Sequence, residues 1–313
     1  MRFVPIIVCS IVLALTLAGC TNFGGSPSQG EVDLVWGQRG VADGRFQKPR
    51  SIAIDKHDRL YIVDLTARIQ VFDADGKFLR SWRTPAWQNG KPTGLSIDRG
   101  GNVLVADTHY FRLLTYTPEG KLLDEKTIGG TTGSGPGEFG FVTDAARDSQ
   151  GNLYISEYGE FDRIQKFSPE GKFLMMWGGH GTEPGEFMRP NKIAIDEHDH
   201  LWVADSCNHR IQVFDATGSQ AKLIKIWGEE GEAPGQMRYP YDIVLDRAGN
   251  VLVSEFGNHR VQRFTRDGKS LAVFGSPGRG PGQFYQPWGL VEDSQGRLHV
   301  LDSYNHRVQR LRM

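Results

Sequence analysis

Six acidic residues are each followed, four to six positions later, by an arginine: Asp64 and Arg68, Asp107 and Arg112, Glu157 and Arg163, Asp205 and Arg210, Glu255 and Arg260, Asp302 and Arg307. At that spacing a carboxylate and a guanidinium can meet across one loop and form a charge-assisted pair. A ring of arginines could instead hold an anion, but a pair used in every copy of a pattern serves the pattern, so these are expected to be structural ion pairs. Histidine is read in the same way. His209, His259 and His306 each stand one residue before an arginine of the series. They occupy equivalent positions in different copies, whereas a metal site needs its ligands to converge on one point. His57, His198 and His200 fall in turns and His180 in a connector, where solvent is the ordinary environment. No catalytic set is assigned and no metal or cofactor is expected. Asp144 and Asp242 are the one candidate for a structural cation, with turn capping as the alternative.

The elements that position these pairs follow from a repeat. An Asp, two residues, Gly or Asp, a polar residue and an alternating apolar segment ending in an acid occur six times: "DKHDRLYIVD", "DRGGNVLVAD", "DSQGNLYISE", "DEHDHLWVAD", "DRAGNVLVSE" and "DSQGRLHVLD". Each copy predicts a short inner strand, a tight turn tolerant of left-handed backbone, a second strand, a loop, and a third strand opened by the arginine. A second turn leads to a fourth strand that ends in Trp, Phe or Ile before glycine. Six units of four antiparallel strands make an all-β, six-bladed β-propeller. The last copy lacks a fourth strand, and the segment "EVDLVWGQRGVADGRF" at residues 31–46 is like the ends of the third, fourth and fifth copies. The N-terminal strand around Val32 to Trp36 is therefore expected to complete the last blade, which closes the ring and removes a free edge.

With the tripeptide "NHR" at 208–210, 258–260 and 305–307, degenerating to "TAR", "YFR" and "FDR" in the first three copies, the chain resembles the NHL repeat family across residues 31–313. The peptidyl amidating lyases are similar six-bladed propellers, and the resemblance implies a zinc held by histidines that follow a proline on the innermost strands. The matching stretches here read "KPRS", "KPTG", "FVTD", "RPNK", "YPYD" and "QPWG", without a histidine. A lyase carried by that metal is disfavoured. The RING of NHL-bearing ubiquitin ligases needs a cysteine and histidine framework that this chain does not contain.

The first twenty residues, "MRFVPIIVCSIVLALTLAGC", are of another kind: Arg2, then an apolar run too short for a comfortable span that closes on small residues. The "LAGC" at 17–20 resembles the lipobox of bacterial lipoproteins, which implies diacylation of Cys20 and a signal peptide at residues 1–19. Residues 20–30 then form the lipidated cysteine and a Gly, Ser and Pro tether, and residues 31–313 the propeller. Localisation would be the bacterial cell envelope, exported and held to the membrane. Cys207 would remain as the single unmodified thiol, so the core rather than disulfides must hold the fold. A formal net charge of −1 gives no electrostatic case for nucleic acid.

Fold does not dictate function in a propeller, so variation between copies is the informative signal. The loops entering the inner strands and those joining the second and third strands share one face. They carry Arg50, Tyr110, Phe111, Thr143, Tyr158, Phe161, Asn191, Tyr241, Phe256, Trp288 and Tyr304. Of these, Arg50, Tyr110, Tyr158, Asn191, Tyr241, Trp288 and Tyr304 are assigned to a ligand-binding face, because aromatics with scattered polar groups suit a peptide or sugar. Rings that merely cover backbone or pack on a neighbouring blade are the alternative for the same positions. The expected function is a binding or scaffold module for a protein, peptide or glycan. The other reading is an envelope lyase or hydrolase related to the amidating lyases, with its metal site altered or absent.

Overall fold

The computed structural model describes residues 30–312, so the expected signal peptide, Cys20 and nearly all of the tether lie outside the described residues. No helix among the described residues is long and apolar enough to cross a membrane. The repeats fold into six four-stranded antiparallel sheets, one per blade. Blade 4, with strands Pro190–Ile195, His200–Asp205, Arg210–Asp215 and Lys222–Trp227 from the channel outward, stands for the others. Its second strand is buried almost throughout because neighbouring blades cover both of its faces, while its fourth strand alternates exposed and half-buried residues at the rim. The first turn of each copy is left-handed at Asp58, Gly101, Gly151, Asp199, Gly249 and Gly296, with φ from 58° to 84°. Its leading Asp completes the turn: Asp196 Oδ1 accepts the backbone N–H of His198 at 2.9 Å and of His200 at 2.8 Å.

Closure runs through the N-terminus. Glu31–Trp36 pairs antiparallel with Arg307–Arg312, from Glu31 opposite Arg312 to Trp36 opposite Val308. Arg310 adds an ion pair to Asp33 at 2.8 Å. The hydrophobic core is likewise distributed, with one apolar cluster at each of the six interfaces between blades. The cluster between blades 6 and 1 combines Ile52, Leu60 and Phe72 with Leu301 and Val308, and Phe46 from the connector completes it. Connector aromatics of this kind explain the glycine that ends the fourth strands. A side chain at Gly178, where φ is +105°, would put its Cβ 2.8 Å from the Phe187 ring.

The acid and arginine of each copy meet in five blades: Arg112 to Asp107 at 2.8 Å, Arg163 to Glu157 at 2.6 Å, Arg210 to Asp205 at 2.7 Å, Arg260 to Glu255 at 2.8 Å and Arg307 to Asp302 at 2.7 Å. Blade 1 differs. Its loop is the shortest of the six, Arg68 stays 3.9 Å from Asp64, and the Arg68 Nε donates to Thr66 Oγ1 at 2.8 Å instead. In the "NHR" copies the asparagine shares the acid, as Asn208 does by donating to Asp205 at 2.9 Å and to the Gly181 carbonyl at 2.9 Å.

The histidines of these copies have a role that their spacing does not reveal. His209, His259 and His306 are in the left-handed region, with φ of 55°, 56° and 58°, and their rings turn toward the next blade. Each Nδ1 accepts a backbone N–H there: Tyr239 at 3.0 Å, Gln286 at 2.9 Å and Lys48 at 2.9 Å. In blade 3, Asp162 at the equivalent position does the same for Arg189 at 3.1 Å. Two other histidines keep their solvent setting and add a carboxylate contact: His180, 59% exposed, lies 2.5 Å from Asp162, and His200, half-buried, lies 3.2 Å from Asp196.

Two outcomes are expected. Deleting residues 31–37 should lower the melting temperature far more than deleting residues 21–29, since only the first exposes an edge in blade 6; equal melting of the two truncations would contradict the closure. The histidine latch needs neutral rings, and burial pushes His209, His259 and His306 below their ordinary value. The unfolded chain then takes up these protons at a higher pH than the fold. Their stabilisation is full above about pH 6.5 and is lost as pH falls below it toward the folded values. Compared between pH 8 and 5, the native protein should lose melting temperature, as pH falls, relative to a variant with all three changed to Asn, the comparison cancelling the opposite contribution of other groups such as Asp242.

Candidate functional site

The inner strands begin just after the connector, and residues at or near their start form a ring around the channel mouth: Arg50, Thr93, Thr143, Asn191, Tyr241 and Trp288. In blades 3, 4 and 5 the strand register shifts at this point, between Val142 and Asp144, Pro190 and Lys192, and Pro240 and Asp242. A bulge of this kind re-aims the extra residue. Thr143, Asn191 and Tyr241 are those residues. Thr143 and Asn191 reach the following blade, through Thr143 Oγ1 to the Pro190 carbonyl at 2.6 Å and Asn191 Nδ2 to the Tyr241 carbonyl at 2.8 Å.

Aromatic rings and cations cluster over one side of the mouth. Tyr241 stacks on Phe256 with centroids 4.5 Å apart and tilts against Trp288 at 5.0 Å; Phe256 contacts Trp288 at 5.6 Å and Tyr304 at 6.1 Å edge to face. The guanidinium of Arg50 lies 5.5 Å from the Trp288 ring, and that of Arg189 lies 4.8 Å from Tyr158 and 5.3 Å from Tyr241. Lys48 Nζ sits 4.2 Å above Tyr304. These distances are within cation–π range.

Five of the seven assigned face residues, Arg50, Tyr158, Tyr241, Trp288 and Tyr304, therefore belong to one connected cluster. The other two do not. Asn191 is 9% exposed and serves the backbone of blade 5, while Tyr110 on blade 2 accepts the Asn89 N–H at 3.1 Å beneath Arg112. Tyr241 is also less open than a free anchor, at 7% exposure, because Phe256 and Trp288 cover it. Lys48 and Arg189 belong to the cluster but escape sequence reading, since each precedes a proline and looks like part of a connector.

One layer below, the residues that follow Thr143, Asn191 and Tyr241 on the inner strands are Asp144, Lys192 and Asp242. Lys192 Nζ contacts Asp144 at 3.2 Å and donates across the channel to the Leu95 carbonyl at 2.9 Å. The carboxylates accept backbone N–H groups of the next blade, Asp144 from Ile193 at 3.2 Å and Asp242 from Leu290 at 3.0 Å. Burial, together with the nearby Asp144, pushes Asp242 up to about 7 against the pull of Lys192. These two acids are thus interblade fasteners inside the channel rather than turn caps. Beneath them the channel opens into a cavity of about 300 Å³ walled by Ile97, Ala145, Ile193 and Val244.

A family model described as NHL repeat matches residues 187–214, 237–264 and 284–311, the third strands and preceding loops of blades 4 to 6 included. The chain carries NHL repeats. It is 40% identical over 193 residues to the peptidylglycine alpha-amidating monooxygenase of Rattus norvegicus, an alignment covering 58% of this chain and 18% of that protein. It is 27% identical over 187 residues to NHL repeat-containing protein 3 of Homo sapiens, covering 52% of this chain and 51% of the relative. The chain thus spans about a fifth to a half of the lengths of these relatives. Among solved structures, a streptogramin B lyase superposes with a TM-score of 0.61 at 14% identity, over 88% of this chain and 95% of the other, a likeness of fold.

The zinc implied by the amidating-lyase resemblance does not fit the residues present. The ring at the channel mouth holds no histidine, and among the described residues no three His, Cys, Asp or Glu side chains are grouped to hold a metal ion. The packing of Tyr241 has a measurable outcome. Tyr241→Ala is expected to cost about 3–5 kcal/mol, as truncating a buried aromatic does. Tyr241→Phe should melt close to the native protein, since the hydroxyl has no hydrogen-bond partner among the described residues. Equal melting of all three would show the ring to be free of the core.

Proposed function

We propose that this NHL propeller is an exported, lipid-anchored binding module of the bacterial cell envelope that takes a protein, peptide or glycan over its channel mouth. The observation that carries the reading is the convergence of Arg50, Tyr158, Arg189, Tyr241, Trp288 and Tyr304 from five different blades onto one aromatic and cationic patch. The scaffold repeats its ion pairs in nearly every copy, yet these mouth positions differ from copy to copy. A fixed frame carrying one asymmetric surface has this form. Rings such as Trp288 and Tyr304, half-buried with polar edges, suit a ligand that is part apolar and part polar.

The anchor part of the reading rests on the sequence of residues 1–30: a signal peptide at 1–19, an acylated Cys20 and a short tether before the first strand. Two acyl chains give stable membrane attachment where one gives marginal attachment. No nucleic acid, metal or cofactor enters the reading. The likeness to an amidating monooxygenase favours a second one, an envelope lyase or hydrolase acting at the same mouth. Its residues would have to work without the ring histidines, so lyase turnover by the zinc-free protein is the result that would select it.

Two measurements test the main reading together. Cys20→Ser should abolish incorporation of labelled palmitate and release the protein from the membrane fraction; unchanged labelling contradicts the anchor. A peptide and glycan screen should yield a ligand whose affinity falls at least tenfold in Trp288→Ala, as removal of a central aromatic does at about 2 kcal/mol or more, with His198→Ala as a remote control. A ligand indifferent to Trp288 would move the site elsewhere.

A further inference from the structure

The arginines of this protein divide into two groups. Those of the repeat are spoken for: Arg163 donates to Glu157 and to the carbonyls of Gly133, Ser134 and Glu138, and Arg260 donates to Glu255 and to Ala233 and Gln236. Among the described arginines that are not exposed, Arg50 and Arg189 are the two whose guanidinium makes no hydrogen bond or ion pair. The Nε of Arg189 is buried without a partner. Unpaired cations in a partly desolvated place are costly, and a run of rings joins these two: Arg50 lies against Trp288, Trp288 against Tyr241 and Tyr241 against Arg189. Arg50 leads the inner strand of blade 1 and Arg189 precedes that of blade 4, half a ring apart across the mouth. Burial pushes Arg50 down from its ordinary value, and the neighbouring Arg189 adds to that push.

The nearest carboxylate, Asp162, is turned to the backbone N–H of Arg189 at 3.1 Å and to His180 at 2.5 Å and makes no ion pair with the guanidinium. The acids of the loop pairs are taken by their own arginines, and Asp144 and Asp242 below are taken by Lys192 and backbone N–H groups. Aromatic faces hold the two cations in place: Trp288 against Arg50, and Tyr158 and Tyr241 against Arg189. Ring faces orient a guanidinium without using its N–H donors. The donors are left for something that is not part of the chain, and their planar fork matches a carboxylate or phosphate.

We propose that Arg50 and Arg189 form a two-armed clamp for the oxyanion group of a ligand, a carboxylate or phosphate, whose apolar part lies against Trp288 and Tyr304. The clamp rests on the reading of the mouth as the binding face and names the chemistry of what that face takes.

The test uses the purified full chain in mild detergent, titrated with sodium phosphate, sulfate and citrate against sodium chloride at matched ionic strength, followed by melting temperature and calorimetry. The oxyanions should raise the melting temperature saturably beyond chloride. Arg50→Met and Arg189→Met should each weaken that binding at least tenfold, while Arg279→Met, an exposed connector position, should not change it. In chloride alone both variants should melt at or above the native temperature, because an unpaired charge has been removed; a structural arginine would do the opposite. The clamp is overturned by oxyanions that act no differently from chloride, by both variants binding as the native protein does, or by both melting below it in chloride. A neutral peptide or glycan that needs Trp288 while oxyanions do nothing would remove the clamp and leave the binding face standing. Oxyanion binding lost in both variants, with no peptide or glycan found, would keep the clamp and remove the macromolecular ligand.

Discussion

The rest of the molecule depends on how each connector between blades is fastened. In blade 4, Asp205 accepts from the Met188 backbone N–H at 2.7 Å, from Arg210 at 2.7 Å and from Gln212 at 3.0 Å. Arg210 and Gln212 then donate to the Glu186 carbonyl at 2.8 and 2.7 Å. One buried acid thus ties a long stretch without regular structure to the third strand of its own blade. Such a network is strong when fully satisfied, and breaking a buried pair typically costs about 3–5 kcal/mol because a charge is left alone. Because the connector ends where the inner strand begins, the same fastening fixes the residues that surround the channel.

That dependence explains why scaffold and site can differ so sharply in the use they make of one side chain. Arginine in the loop pair spends its donors on the connector, and its identity hardly varies. Arginine at the mouth is held by ring faces and spends none. The bulges at Thr143, Asn191 and Tyr241 supply the variation, since they turn one residue per blade toward the centre without disturbing the ladder on either side. Two of these residues brace the following blade and the third carries the aromatic stack.

The fold was legible in the sequence because its determinants are local and repeated: turns at fixed offsets, alternating strands, and a glycine closing the outer strand in five of the six blades. Closure by Glu31–Trp36 could be read because that segment is like the ends of other copies. The site was legible only in part. Trp288, Tyr304 and Arg50 stand out as unlike their counterparts, but Arg189 hides before a proline, and nothing local distinguishes a tyrosine packed under two rings from an open one. The histidine contacts depend on a left-handed backbone that turns the ring into the next blade, a relation across 27 to 30 positions in the chain or, for His306, across 258. The weaker pair of Asp64 and Arg68 does follow from the sequence, through a loop shorter by one or two residues.

The strand that closes the ring also decides how the molecule answers a mechanical load. Glu31, the first residue of that strand, pairs with Arg312 at the far end of the last strand, and successive residues pair back toward Val308. Tension applied at residue 30 and directed away from the blade opens these pairs one after another, like a zip, rather than shearing them all at once. The first bonds to be loaded stand at the rim, and the ion pair of Asp33 with Arg310 comes next in line. The outer strand of blade 6 is therefore the mechanical fuse of the ring: it yields first, and with it goes the closure on which the geometry of the opposite arginines rests.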